Sequence, residues 1–336
     1  MNLNNRIDAF AQLGARISEL KEIPNEIFLR AEQQNNWFTR ENINIAFNSI
    51  VNLLKVESLQ AWTSGYKLDI DDPKRVGIVM AGNIPLVGFT DFLAIMMSGH
   101  HAKIKLSSHD NVLLPYLIDM LFEIEPELQQ QITFVEQLKE IDAVIATGSD
   151  NTSRYFEYYF KKYPNIIRKN RTSCAIISGS ESKEDIVNLG KDIFTYYGLG
   201  CRNVSKIYVP KGYDHTYLLD NLMSYQPIIN HHKYHNNYDY NKSIYLVNIV
   251  KHLDTGFLLL TESEELVSPI SVLYFEEYTD HEHLSDLLKK NEGKIQCVVS
   301  ADEQYPDSVS FGNAQKPSLT DYADNVDVME FLISLT

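Results

Sequence analysis

The chain has three cysteines among its 336 residues, and one of them stands where a thiol can be approached closely. Cys201 lies in the stretch Gly198-Leu199-Gly200-Cys201-Arg202-Asn203, at a joint between a helix-like run over 184–197 and a strand-like run over 206–210. Glycines remove side-chain bulk around such a joint. A thiol in that setting is a candidate nucleophile, and a correctly oriented Arg202 beside it favours the thiolate. Cys174 and Cys297 sit within apolar runs and read as structural thiols, the commoner fate of a cysteine.

Other reactive types cluster after strand-like segments. Gly82-Asn83 follows the apolar run 76–80. The Asn83 amide there either donates to a developing oxyanion or caps the next helix. Lys105 closes a second strand-like run and is either a point charge for a ribose or phosphate or a solvated edge lysine. Ser107 and Ser108 follow it directly. Gly148-Ser149 allows backbone to approach a pyrophosphate at a helix N-terminus. Neither a Gly-x-Gly-x-x-Gly fingerprint nor a phosphate-loop motif is present. Lys161, Lys162, Arg168, Lys169 and Arg171 form the densest basic cluster, suited to phosphates or to a solvated face. His231, His232 and His235 lack a cysteine or paired carboxylate at ligand spacing, so they read as a polar loop rather than a metal site.

The elements that must position these residues follow from periodicity. Residues 4–70 read as helical, with Ile7, Phe10, Leu13, Ile17 and Leu20 on one face. From Arg75 onward short apolar strands alternate with helices, which predicts a parallel sheet covered on both faces. Sites in such sheets lie at the carboxyl ends of strands, so 81–83, 107–108 and 147–149 are expected on one rim. A second alternating series begins near Ser173. In it, 184–197 and 213–224 are expected as helices, 231–242 as a loop, and 243–250, 256–260, 270–275 and 295–300 as strands. The predicted organisation is a helical region over 1–72, a dinucleotide-binding domain over 73–172 and a catalytic domain over 173–310. A tail over 311–336 returns to the cofactor domain or joins a dimer contact.

A formal net charge of −15 argues against broad binding of nucleic acid or anionic membrane, which need a basic face. No signal peptide and no apolar run long enough to span a membrane is apparent. The odd, unspaced cysteine count suits a reducing cytoplasm.

Taken together, these stretches resemble the aldehyde dehydrogenase superfamily, and within it the LuxC-type acyl-CoA reductases, from about Arg75 to Phe331. Val76 to Leu86 is similar to the strand and Asn-x-Pro of that superfamily, which implies Asn83 as the oxyanion amide. Lys103 to Ser108 resembles the strand whose lysine touches the adenosine ribose, implying that role for Lys105. Ser108 falls where NAD-preferring members carry a glutamate, which implies NADPH. Ala146 to Ser149 resembles the Thr-Gly-Ser turn near the cofactor. Glu265 to Ile270 resembles the Glu-x-Phe-Gly-Pro segment, implying that Glu265 holds the nicotinamide ribose. Cys201 falls on the catalytic cysteine. The glutamate base of hydrolytic members has no acid to match it between Ile166 and Cys174.

The resemblance therefore implies an α/β, aldehyde-dehydrogenase-like fold, with a Rossmann-type cofactor domain, a second α/β catalytic domain and a helical N-terminal region. It also implies NADPH-dependent reduction of an acyl thioester to an aldehyde, with coenzyme A as leaving group and acyl-CoA or an acylated protein as donor. A homo-oligomer is the implied assembly. A cysteine-dependent reductase of an acyl phosphate and an inactive subunit of the same fold remain the alternatives.

Overall fold

The computed structural model describes the chain except Lys21, Asp69, Ser149, 302–304, 306–307 and the side chain of Asp150. The described residues divide into two compact units, Met1–Asn170 with Ser318–Thr336, and Arg171–Pro317.

The first unit opens with four helices, α1 (Leu3–Glu19), α2 (Asn25–Gln34), α3 (Arg40–Leu53) and α4 (Val56–Thr63). Side chains of Asn2 and Thr39 cap α1 and α3 by accepting backbone N–H groups of Asn5 and Asn42. Phe10, Leu13 and Ile17 form the buried stripe of α1, as its spacing predicts. Gly14 lets α3 approach, since a Cβ there would lie 2.9 Å from Leu54 Cβ.

The strands and helices that follow are β1 (Arg75–Val79), α5 (Phe89–Ser98), β2 (His101–Lys105), α6 (Leu113–Ile124), β3 (Ile132–Phe134), β4 (Ala143–Thr147), α7 (Asp150–Phe160) and β5 (Asn165–Arg168). The strands form a five-stranded parallel sheet in the order β3-β2-β1-β4-β5, so the chain reverses its direction of winding beside β1. One face packs on α1, α5 and α6. The other is a smaller apolar layer around Ile141, Val144 and Ala146 with Phe156 and Phe160 of α7.

The second unit contains β6 (Thr172–Ile176), α8 (Lys183–Phe194), β7 (Val204–Pro210), α9 (His215–Leu222), α10 (His232–Val247), β8 (Leu253–Asp254), β9 (Leu259–Glu262), β10 (Val272–Tyr278), α11 (His281–Asn291) and β11 (Ile295–Ser300). Its sheet runs β11-β6-β7-β10-β9-β8, parallel throughout except for the β8–β9 pair.

Three expectations fail here. The stretch 231–242, read as a loop, and 243–250, read as a strand, fall for the most part in the single helix α10. Its buried face is Tyr234, Tyr238 and Asn241 while Leu246 and Val247 are exposed, so it lacks the aliphatic stripe that reveals an amphipathic helix, and tertiary bonds help to hold it. Asn241 Nδ2 donates to Ile270 O at 3.0 Å, and Lys242 pairs with Asp254 at 2.7 Å. The helix expected over 184–197 stops at Phe194. Tyr196 and Tyr197 then take left-handed backbone, with φ of 54° and 58°, ahead of Gly198 at 79°.

The last helix, α12 (Val328–Ile333), returns to the first unit and packs on α5. Two polar links fasten this end. Tyr66 OH donates to Asp327 at 2.6 Å and Trp62 Nε1 to Tyr322 OH at 2.7 Å. His100, fully buried, accepts from the Lys74 N–H at Nδ1 (3.0 Å), which leaves Nε2 to donate to Leu332 O (2.9 Å). This bridge needs a neutral ring, and burial holds the His100 pKa below its ordinary value. A lowered histidine pKa means that the unfolded chain takes up the proton first. Stability from this group is therefore complete above the unfolded pKa of 6.5 and is lost as pH falls below it. Substituting His100→Leu is expected to cost roughly 2–3 kcal/mol at pH 8, from two orphaned backbone groups. The deficit relative to wild type should shrink at pH 5.5. Urea unfolding at the two pH values measures both effects.

Candidate active site

Cys201 sits at the amino edge of the second sheet, three residues before β7 begins. Its turn is built by neighbours that the sequence did not single out. Asn203 is 2% exposed, and its side-chain amide donates to the carbonyls of Asp192 (3.0 Å), Ile193 (3.3 Å) and Thr195 (2.8 Å) at the end of α8. Its Oδ1 accepts from the Gly200 N–H at 2.8 Å, so one side chain ties the helix end to the turn. From the β6 side, Ser173 Oγ donates to Cys201 O at 3.1 Å and lies 3.1 Å from Cys297 Sγ.

Cys201 itself is half-buried, as is Cys297, while Cys174 is fully buried, and burial pushes the Cys174 thiol up. The environments thus separate an approachable thiol at a turn from an inert one inside a strand. Arg202 Nη1 reaches Ala314 O at 3.5 Å, so this cation is partly engaged in holding the segment after Phe311. Asp192 grips the same segment, accepting from Gly312 N (2.6 Å) and Ala314 N (3.0 Å). Burial raises the Asp192 pKa to about 6 against the pull of those two N–H groups. Tyr197, in its left-handed position, lays its ring 4.3 Å from that of His231 at the start of α10. His231 is thus the N-cap of α10, and its Nδ1 accepts from the Tyr234 N–H at 3.4 Å. Among the described residues no cluster of histidine, cysteine and acid suited to a metal is present.

Glu265 is exposed on the crossover from β9 to β10. The carbonyls on either side of it are pinned to β7: Lys206 Nζ donates to Glu264 O at 3.1 Å and Ser205 Oγ to Leu266 O at 2.8 Å. Four residues of extended chain span at most ~14 Å, so this crossover is anchored close to Cys201. A separate cavity of about 330 Å³ opens near the carboxyl ends of β7, β9 and β10. Glu262, Glu264, Glu276 and Glu277 line it with Lys211, and that lining suits no anionic substrate.

In the first unit, Val79 of β1 is level with Lys105 of β2 and Ala146 of β4. The segments holding Asn83, Lys105, Ser107, Ser108 and Gly148 therefore share the carboxyl rim of the sheet, as expected. Asn83, Lys105 and Ser108 are exposed, while Ser107 and Gly148 are half-buried. Ser149 lies outside the described residues.

Two loops of this rim fit closely. A Cβ on Gly82 would lie 2.6 Å from Ser107 Oγ, and Asn35 Nδ2 donates to Gly82 O at 2.9 Å. Ser107 Oγ accepts from His109 N at 3.2 Å, and buried Asp110 accepts from Leu86 N at 2.8 Å. Burial lifts the Asp110 pKa to about 6. Asn35 and Asp110 brace the Asn83 loop from two sides, and sequence spacing carried no signal for either. The basic cluster is split: Lys161, Lys162 and Lys169 are exposed, as on a solvated face, and Arg171 is half-buried. Arg168, at the end of β5, is buried and ion-paired with Asp91 of α5. Lys169 pairs with Glu157 at 2.8 Å, Lys162 covers the Tyr163 ring, and Arg171 donates to Ile295 O.

The acyl-CoA reductase (LuxC) family model matches residues 11–218, a span that contains the rim segments and Cys201. No curated protein sequence matches the chain. Among solved structures, aldehyde dehydrogenase KauB from Pseudomonas aeruginosa superposes with a TM-score of 0.67 at 12% identity, covering 89% of this chain and 72% of that one. The NAD+ complex of an aldehyde dehydrogenase from Bacillus cereus gives 0.63 at 14%, covering 89% and 72%. A Mycobacterium tuberculosis aldehyde dehydrogenase complexed with NAD+ gives 0.64 at 12%, covering 90% and 74%. At these identities the likeness establishes an aldehyde-dehydrogenase-like fold.

Replacing Asn203 by alanine orphans three carbonyls at the end of α8. The Asn203→Ala protein is expected to lose roughly 3 kcal/mol in urea unfolding. Its Cys201 should be alkylated by iodoacetamide several-fold faster than in wild type, with Cys174 still protected, as read by peptide mass spectrometry.

Proposed function

The chain belongs to the acyl-CoA reductase (LuxC) family, and from that membership we propose that it reduces an acyl thioester to an aldehyde through an S-acyl intermediate on Cys201, with NADPH as reductant. The observation that carries this reading is the half-buried Cys201 thiol, held at its turn by Asn203 and Ser173 inside the matched span.

The Cys201 thiolate attacks the thioester carbonyl carbon. A carbon–sulfur bond to Cys201 forms, the bond to coenzyme A breaks, and the departing thiolate takes a proton from solvent. The amide of Asn83 stabilises the oxyanion of the tetrahedral intermediate, a role that rests on the resemblance of its segment. The exposed side chains of the first-unit rim are an amide, a cation and a hydroxyl, all donors, and such a set fits the ribose and phosphates of a dinucleotide. Lys105 and Ser108 hold the adenosine side, where a small hydroxyl leaves room for a 2′-phosphate. Glu265 holds the nicotinamide ribose. NADPH, when bound, supplies the hydride for the acyl carbon. Collapse of the resulting Cys201 thiohemiacetal returns the thiolate and releases the aldehyde.

The end of β5 supports an aldehyde product over an acid. Arg168 and its partner Asp91 occupy that position, a guanidinium cannot serve as a base at neutral pH, and Asp91 is committed to it. By the resemblance, hydrolytic members carry their glutamate base in this stretch, and this chain has no acid between Ile166 and Cys174.

Incubating the purified protein with acyl-CoA, without reductant, is expected to place one acyl group on the Cys201 peptide and none on the Cys201→Ala protein. Adding NADPH should discharge it as an aldehyde trapped by a hydrazine. Acylation of Cys174 or Cys297 with Cys201 unmodified would overturn the assignment. Turnover of acyl phosphates but not of acyl-CoAs would move the substrate class.

A further inference from the structure

Lys206 is fully buried on β7, five residues after Cys201. Withdrawing an ammonium from water costs several kcal/mol, so its bonds are the key to why the site holds a charge. The ammonium has two protein oxygens: the carboxylate of Glu276 on β10, with which it forms an ion pair, and the carbonyl of Glu264 at 3.1 Å. The Tyr208 ring lies 5.2 Å away. Glu264 immediately precedes Glu265, and the crossover over 263–269 has no regular secondary structure to set its path. On the far side of Glu265, Ser205 Oγ holds Leu266 O at 2.8 Å and is itself bonded to Thr172 Oγ1 at 2.8 Å. The Glu265 N–H is taken by Ser263 Oγ at 3.1 Å. Glu265 is therefore bracketed by two carbonyls fastened to consecutive residues of the strand that Cys201 leads into.

We propose that Lys206 is a positioning residue: from its buried pair with Glu276 it fixes the Glu264 carbonyl, and through it sets Glu265 for the nicotinamide ribose. This rests on the reading of Glu265 given above. An apolar residue at 206 would pack in the sheet but could not hold the Glu264 carbonyl, leaving that side of Glu265 to the Ser263 N–H bond to Phe275 O and the exposed Lys290–Glu264 contact. The arrangement ties the cofactor-side carboxylate and the nucleophile to one strand, so a shift of β7 carries both together.

The test is NADPH binding by the intact chain, measured by fluorescence titration and calorimetry. Affinity is expected to fall about tenfold in Lys206→Met, the scale of one weakened hydrogen bond to the ribose. The double variant Lys206→Met/Glu276→Leu replaces the pair by apolar groups, avoids leaving a lone carboxylate, and should show the same loss with a wild-type melting temperature within a few degrees. Lys206→Arg, which keeps a donor cation, should recover most of the affinity. In a Glu265→Gln background, Lys206→Met should have no further effect. Wild-type affinity in the double variant, or an equal loss with and without Glu265, would overturn the inference and leave the proposed function standing. Failure of the wild-type protein to bind NADPH or NADH would remove the premise and the inference together.

Discussion

The second unit depends on a single buried amide. Asn203 satisfies three carbonyls at the end of α8 and the Gly200 N–H of the cysteine turn. Without it the helix would end in water or continue, and the turn would lack a fixed entry direction. The same region stores conformational cost. Tyr196 and Tyr197 adopt left-handed backbone, at roughly 1–2 kcal/mol each for residues bearing a Cβ. Such a conformation persists where surroundings over-determine it. Here the buried Tyr196 side chain, the Tyr197–His231 ring contact and the Asn203 bond to Thr195 O do so. The result is a thiol presented by a stiff turn rather than by a mobile loop.

Charge is used sparingly inside both units, and where it is buried it is either ion-paired or held by backbone groups. Arg168 with Asp91 closes the β5 end of the first sheet, and Lys206 with Glu276 lies inside the second. Pairs of this kind contribute little net stability, because desolvation offsets most of the attraction. Their value lies in orientation. The first fixes the end of β5 against α5, and the second steadies an irregular crossover. Asp110 and Asp192 act similarly through backbone N–H groups, each fixing a loop beside a candidate functional residue.

Much of the architecture was legible in the chain because it obeys simple periods. The stripe of α1, the short apolar strands from β1 to β4 and the alternation of strand and helix all follow from burial on one face or on two. The rim was legible for the same reason: in a parallel sheet, residues just after successive strands share one edge, and register places Lys105, Val79 and Ala146 level. Periodicity failed at α10, whose polar sequence carries no aliphatic stripe, and at Tyr196, where left-handed backbone ends the helix although tyrosine gives no local signal for it.

By itself the sequence determined the alternating α/β class, the segments that end at the rim and the glycine-flanked cysteine that differs from the other two. These properties are local: composition, spacing and small residues state them directly. Tertiary structure alone decided which groups hold that cysteine and its neighbours. Asn203, Ser173, Asn35, Asp110 and Lys206 act through hydrogen bonds to partners most of which are brought close only by folding. A polar residue's type names the bonds it can make, but its partner is chosen by where the chain returns. For the same reason the sequence left the basic cluster at 161–171 open between a phosphate site and a solvated face. Folding drew Arg168 onto Asp91, because a cation leaving water takes a carboxylate with it, while Lys169 stays at the surface beside Glu157.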